Sequence, residues 1–236
     1  AATMIVVYQV LLALIRVATN LLAVPVWGGI ILAVVSLFTA DTIREAFGSA
    51  FSSSLDWSFT TVPGLIVTAI FGVMGVIHAV RMYQAETYVS GLGFLGFLLD
   101  NSWGLPNTVI GSLFATITVG MKIDNTMSKG SSRLVTSNGI FGKHYATTFG
   151  NVTTGTLVPR HEMVHVYQAR LLGPLFYPIY VANYVLNLLP YWWGLKLLFN
   201  IYPNAPINSV AAYFTRGVYP FTLFELIAYA VEGEPP

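Results

Sequence analysis

The chain has 236 residues, 55% of them hydrophobic and 9% charged, with a net charge of +1 and a mean hydropathy of +0.68. An ordinary soluble domain carries about 25% charged residues, so this composition describes an integral membrane protein, and with no basic stripe to neutralise phosphates a nucleic-acid partner is excluded. The chain holds no cysteine, which excludes disulfides, thiolate zinc ligands, iron–sulfur clusters and cysteine nucleophiles and leaves His and carboxylate as the groups that can hold a metal.

In chain order, Met4 to Ala40 is apolar almost throughout, interrupted by Asn20, Pro25 and Gly28-Gly29. It reads as two helices, or one long helix broken near Pro25. Arg16 inside it either snorkels to the headgroups or marks an interior contact. Asp41 to Thr61 reads as a polar connection. Val62 to Val80 is the cleanest span, with Gly72 and Gly75 allowing close helix contact. His78 near its end either hydrogen-bonds or ligates a haem or pigment.

Gly91-Leu92-Gly93-Phe94-Leu95-Gly96 spells G-x-G-x-x-G. Without a preceding strand pattern it is no nucleotide site, and the glycines read as a helix-packing surface. Leu105 to Met121 reads as a further span. The expected architecture is an α-helical integral membrane protein of four to six membrane helices, in contact with the lipid bilayer. Residues 1–121 form its N-terminal helices, 122–158 a polar insert and 159–236 a motif helix with C-terminal spans.

The insert is rich in Ser, Thr, Gly and Asn, with Asn138-Gly139 as a hairpin signal and Tyr145 to Thr154 as an extended strand leading to the motif helix. Beside a metal helix such a strand can hold a peptide substrate by main-chain bonds. From Lys122 to Arg170 six cations face two acids, so by the positive-inside bias the insert faces the cytoplasm or its topological equivalent.

The most specific stretch is His161-Glu162-Met163-Val164-His165. On a helix the two histidines are one turn apart on one face, so both imidazoles reach one ion, while Glu162 beside them can take a proton from water. Pro159 suits the first turn, a polar residue near Thr156 can cap it, and Gly173-Pro174 stops it. The third ligand expected is Glu225, a lone carboxylate in an apolar helix from Phe221 to Val231, with a salt bridge to Arg216 as the competing explanation and His144 as the reserve ligand. Zinc is the metal expected, with Glu162 as general base and His144 or Tyr229 stabilising the oxyanion. Pro190 to Trp193 reads as an interfacial belt, 195–199 as a continued apolar run, 202–206 as a turn, and the tail from Glu232 as loose.

His161 to Gln168, Gly173-Pro174-Leu175-Phe176-Tyr177-Pro178-Ile179-Tyr180 and Phe224-Glu225-Leu226-Ile227-Ala228-Tyr229 together resemble a group of bacterial membrane proteins with a gluzincin-like signature. Their pattern is H-E-x-V-H-V-R-Q, G-P-x-F-x-P-x-Y and F-E-x-E-A-Y, preceded by T-x-G-H-V. The resemblance covers about residues 139–229 and implies zinc binding more than proteolysis, since the group has no established activity. Tyr167 stands where the pattern has arginine, Asn151 where it has histidine and Ile227 where it has a second glutamate, each a polar or ionisable group expected near the site. The two functions in view are a membrane-embedded zinc metallopeptidase and a non-catalytic subunit of a larger photosynthetic or respiratory membrane complex.

Overall fold

The computed structural model describes residues 2–36, 42–142, 145–192 and 210–233. The protein is mostly helical, with one small sheet. Three helical stretches are long and apolar enough to cross a membrane: Val6–Ser36, Val62–Gln84 and Pro159–Leu188.

Helix α1 (Ala2–Ser36) is one continuous element of 35 residues with Pro25 inside it. At about 1.5 Å per residue it is roughly 52 Å long, well beyond a hydrocarbon core of about 30 Å. The expected break at Pro25 does not occur.

Helix α2 (Ile43–Thr60) lies where a polar connection was expected, and the Thr42 side chain caps it through Glu45 N. Its buried face is Ala46, Ala50, Ser54 and Ser58, a four-residue repeat of small side chains. That stripe lets α2 approach α1, where Ser54 Oγ donates to Pro25 O at 2.8 Å. Ser54 and Ser58, two of the polar residues of the expected connection, belong to its packing surface.

Helix α3 (Val62–Gln84) runs back along α1, and Gly72 and Gly75 make room for Leu21 and Asn20. His78 is fully buried there, with Nδ1 2.7 Å from Ser112 Oγ. Arg16 is also buried, and its Nη2 donates to Tyr88 OH at 3.3 Å, so it makes an interior contact and does not snorkel.

Helix α4 (Gly91–Asp100) contains the G-x-G-x-x-G run. A side chain at Gly93 would meet the Tyr88 backbone at 2.8 Å and one at Gly96 the Arg170 guanidinium at 3.1 Å. Gly96 therefore makes room for a neighbouring helix, while Gly93 makes room for the chain entering α4.

Helix α5 (Leu105–Ile117) has only 13 residues, about 20 Å of rise, too short to cross. Its buried face carries Asn107, Thr108 and Ser112, and Arg81 closes its end by donating to Ala115 O and Thr118 Oγ1, both at 2.7 Å. Among the described residues three helices are long and apolar enough to cross a membrane.

After helix α6 (Asn125–Ser131), strands β1 (Leu134–Thr136), β2 (Thr147–Phe149) and β3 (Val152–Thr154) form a sheet in the order β1-β3-β2. β1 runs parallel to β3, and β2 is antiparallel to it. The hairpin therefore turns at Gly150-Asn151, where Gly150 has φ +59°, and not at Asn138-Gly139. Residues 145–154 fold back on themselves instead of running as one strand, which leaves β2 at the sheet edge.

Helix α7 (Pro159–Leu172) follows, then one 3-10 turn and helix α8 (Phe176–Trp192). An irregular helical segment over 210–221 leads to helix α9 (Leu223–Glu232). One apolar cluster joins α1, α3, α4, α5 and the sheet through Leu12, Met82, Phe97, Leu134 and Val152. A second, of Ala169, Phe176 and Phe224, joins α7, α8 and α9 directly beneath the candidate site. The expected belt residue Trp193, the apolar run at 195–199 and the turn at 202–206 lie outside the described residues.

Candidate metal centre

Helix α7 is polar for a helix in this chain because one face is built for the site. His161, Glu162, His165 and Gln168 are all buried. Its first residue is Pro159, whose missing N–H costs nothing in a first turn, but the residue before the helix, Val158, is left-handed with φ 44° and offers no side-chain cap. No residue near Thr156 caps it. The Glu232 carboxylate does so from α9, accepting from His161 N at 2.7 Å. Glu232 thus belongs to a helix end and a cap, where the sequence suggested a loose tail.

Helix α9 crosses α7 so that Glu225 faces both histidines. His161 Nε2 lies 3.0 Å from Glu225 Oε2 and His165 Nε2 lies 3.3 Å from Oε1. One ligand atom from each of the three residues falls within 4.8 Å of the other two. Four-coordinate zinc with bonds of about 2.0 to 2.1 Å sets neighbouring ligands about 3.3 Å apart, so two of the three edges already have the spacing a bound ion requires.

Glu225 is 1% exposed and also accepts from Tyr180 OH at 2.9 Å. Burial alone would push its carboxyl up, but the hydrogen bonds and charge of the neighbouring imidazoles outweigh this and hold it down at about 2. Arg216 is exposed and is not its partner. The competing salt-bridge reading is therefore replaced by the imidazole pairing.

The hydrogen atoms around His165 can be assigned. Phe224 O can only accept, so the Gln168 amide nitrogen faces it at 3.1 Å and Gln168 Oε1 faces His165 Nδ1 at 2.9 Å. Nδ1 therefore carries a proton. In the neutral ring Nε2 then presents a lone pair to Glu225 Oε1, an arrangement that calls for a metal ion between them or a proton on Nε2. Consistent with that, His165 Nε2 is buried without a hydrogen-bond partner.

The Glu162 backbone carbonyl accepts from Thr148 Oγ1 at 3.3 Å, which ties α7 to the edge strand β2. Glu162 Oε2 is buried and unpaired. The Glu162 charge raises the Arg133 guanidinium, while burial, the larger effect, draws it down to about 10. Arg133 Nη2 donates to Pro159 O at 3.0 Å, at the start of the same helix.

A cleft of about 230 Å³ opens here, lined by Thr147, Thr148, Glu162, His165, Tyr219 and Glu225, with Phe149, Phe176, Tyr177 and Tyr180 as its aromatic wall. Of the residues expected from sequence, His161, His165, Glu225 and Glu162 are brought together. Tyr229 stands against His161, ring centroids 4.6 Å apart and tilted 68°. It does not line the cleft. His144 lies outside the described residues.

The three departures from the resembled pattern fall away from the cluster. Asn151 is buried with Nδ2 donating to Tyr88 OH at 2.9 Å. Tyr167 and Ile227, 58% and 43% exposed, line an outer groove together with Gln168 and Arg170.

Sequence reasoning missed Gln168, Tyr180 and Glu232. Gln168 had a legible signal, since a residue three past His165 shares its helix face. The other two depend on how α8 and α9 pack.

The fold and site together define a mostly helical protein with three helices long and apolar enough to cross a membrane and a buried His-His-Glu group that could hold a metal ion. Comparison with protein-family models, with curated proteins and with solved structures gives no match to the chain.

Proposed function

We propose that the chain is a membrane-embedded zinc-dependent hydrolase of gluzincin-like type, most simply a peptidase acting near the membrane surface. The observation that carries this reading is the meeting of His161, His165 and Glu225 within 4.8 Å, with the Glu162 carboxylate in the same cleft. Two imidazoles and one carboxylate make a donor set of catalytic zinc, and the lone pairs opposed between His165 and Glu225 need a metal ion or a proton between them. Bound there, zinc supplies Lewis-acid chemistry and acidifies water.

The chain's own residues do the rest. Glu162 takes the proton at its unpaired Oε2 and returns it to the leaving amine. The free side of β2 accepts an extended peptide as a further strand, at Thr147 to Phe149 beside the cleft. The aromatic wall excludes water and receives an apolar side chain.

The test is metal analysis and peptide cleavage on the detergent-purified chain. We expect one zinc per chain in the parent, loss of metal in Glu225→Ala, and loss of cleavage with metal kept in Glu162→Gln. A Glu162→Gln variant that cleaves as well as the parent ends the hydrolase reading.

One observation favours a second reading, a non-catalytic subunit of a larger membrane complex. Glu225 already takes hydrogen bonds from His161 and Tyr180, and a proton on His165 Nε2 would complete a metal-free imidazolium–carboxylate group. A parent free of metal that co-purifies with defined subunits selects this reading. Under either, the cationic insert is assigned to the cytoplasmic side of a bacterial inner membrane, which protease accessibility of the insert in sealed vesicles checks.

A further inference from the structure

We infer that Gln168 is a positioning residue that sets two of the three proposed metal ligands at once, an inference that rests on the metal reading above. The side chain is 9% exposed and reaches across from α7 to α9. Its oxygen takes the Nδ1 proton of His165 at 2.9 Å, and its nitrogen donates to Phe224 O at 3.1 Å.

The two bonds are coupled through one amide. Phe224 O cannot donate, so the amide cannot flip without setting two acceptors against each other. His165 is therefore held in the tautomer whose Nε2 is free to bind a cation. Phe224 immediately precedes Glu225, so the same amide fixes the α9 backbone one residue from the carboxylate ligand. His161 has no such support, since its Nδ1 is buried without a partner. The burden of orienting the site thus falls on the His165 side.

The amide can be dissected by substitution. Gln168→Met keeps length and apolar bulk and removes both bonds. Gln168→Glu restores an acceptor for His165 Nδ1 but cannot donate to Phe224 O. Parent and variants, purified as full chains in detergent, are titrated with zinc against a competing chelator, and the His165 tautomer is read from its ¹⁵N shifts.

Loss of an outer partner of a ligating histidine weakens metal binding about 10- to 100-fold, and we expect that loss in Gln168→Met together with a shift of the His165 Nδ1 resonance. Gln168→Glu should restore the resonance and leave the affinity below the parent's. Zinc affinity in Gln168→Met within about threefold of a zinc-binding parent overturns the inference and leaves the metal reading standing. A parent that binds no zinc overturns both. Should Gln168→Met fail to fold, parent-like affinity in Gln168→Glu overturns the link through Phe224.

Discussion

Asp100 and Arg170, 70 residues apart, form a two-point ion pair, with Nε to Oδ1 and Nη2 to Oδ2 both at 2.8 Å. The pair is buried and joins the end of α4 to the metal helix. Arg170 also donates to Ser132 O, and Tyr88 OH donates to Asp100 Oδ2 at 2.7 Å. The cluster locks the membrane helices, the sheet and α7 into one arrangement.

Removing one partner strands a buried charge. Asp100→Ala or Arg170→Ala is expected to cost about 3 to 5 kcal/mol, read as a fall in the detergent unfolding midpoint. The double variant Asp100→Leu/Arg170→Met is expected to be more stable than either single change. Additive losses would show that the two residues act independently.

Glu232 closes the open end of α7 from another helix. Glu232→Ala leaves the N–H of His161 without its acceptor and is expected to cost about 1 to 2 kcal/mol. Glu232→Gln keeps an acceptor and loses only the charge, so it should recover part of that stability. Thermal melts of the three proteins at low and high salt check this, with the parent's advantage over Glu232→Gln shrinking as salt rises.

At the other end of α7, Asn107 Nδ2 donates to Ala169 O and Gly173 O, both at 2.8 Å. Each of these carbonyls also accepts a backbone N–H, Ala169 O from Gly173 and Gly173 O from Phe176, so the amide adds a second bond to both at the helix end. Asn107→Ala should cost about 1 to 3 kcal/mol and loosen the bend between α7 and α8. Hydrogen exchange of the amides around residues 169–175 would report it, and protection equal to the parent's would contradict it.

Gly173 makes that bend with φ +54°, and a Cβ there would come within 2.4 Å of the Trp103 ring. Gly173→Ala is therefore strained twice, by about 1 to 3 kcal/mol in backbone conformation and by collision with the indole. Trp103 Nε1 donates to Leu171 O at 3.0 Å, so a red-shifted Trp103 emission is the expected accompaniment, read in a background with the other tryptophans replaced by phenylalanine.

Much of the site was readable along the chain because its chemistry is local. His161, Glu162 and His165 fall on one helical turn, and Glu225 stood out as a carboxylate with no polar neighbours in an apolar helix. The helix-packing reading of Gly96 likewise needed only its apolar company. The errors share a cause. Asp41 to Thr61 read as a polar connection because the value of Ser54 and Ser58 lies in the buried small-residue face of α2. The Asn138-Gly139 signal yielded to a hairpin at Gly150, where the strand edge could pair with β1. The span expected from Leu105 ends as a helix at Ile117, where Arg81, from another helix, takes the Ala115 carbonyl and the Thr118 hydroxyl.

Composition and spacing alone give helices apolar enough to cross a bilayer, leave imidazole and carboxylate as the groups able to hold a metal, and set two imidazoles one turn apart. Hydrophobicity and helical periodicity are properties of neighbouring residues, and they survive without a partner. Which carboxylate meets the histidines, which amide sets the His165 tautomer and which glutamate caps the metal helix are choices between residues up to 71 positions apart. Those choices are made by the packing of α7, α8 and α9 around Phe176 and Phe224, because a hydrogen bond is decided by a few tenths of an ångström that no linear pattern encodes.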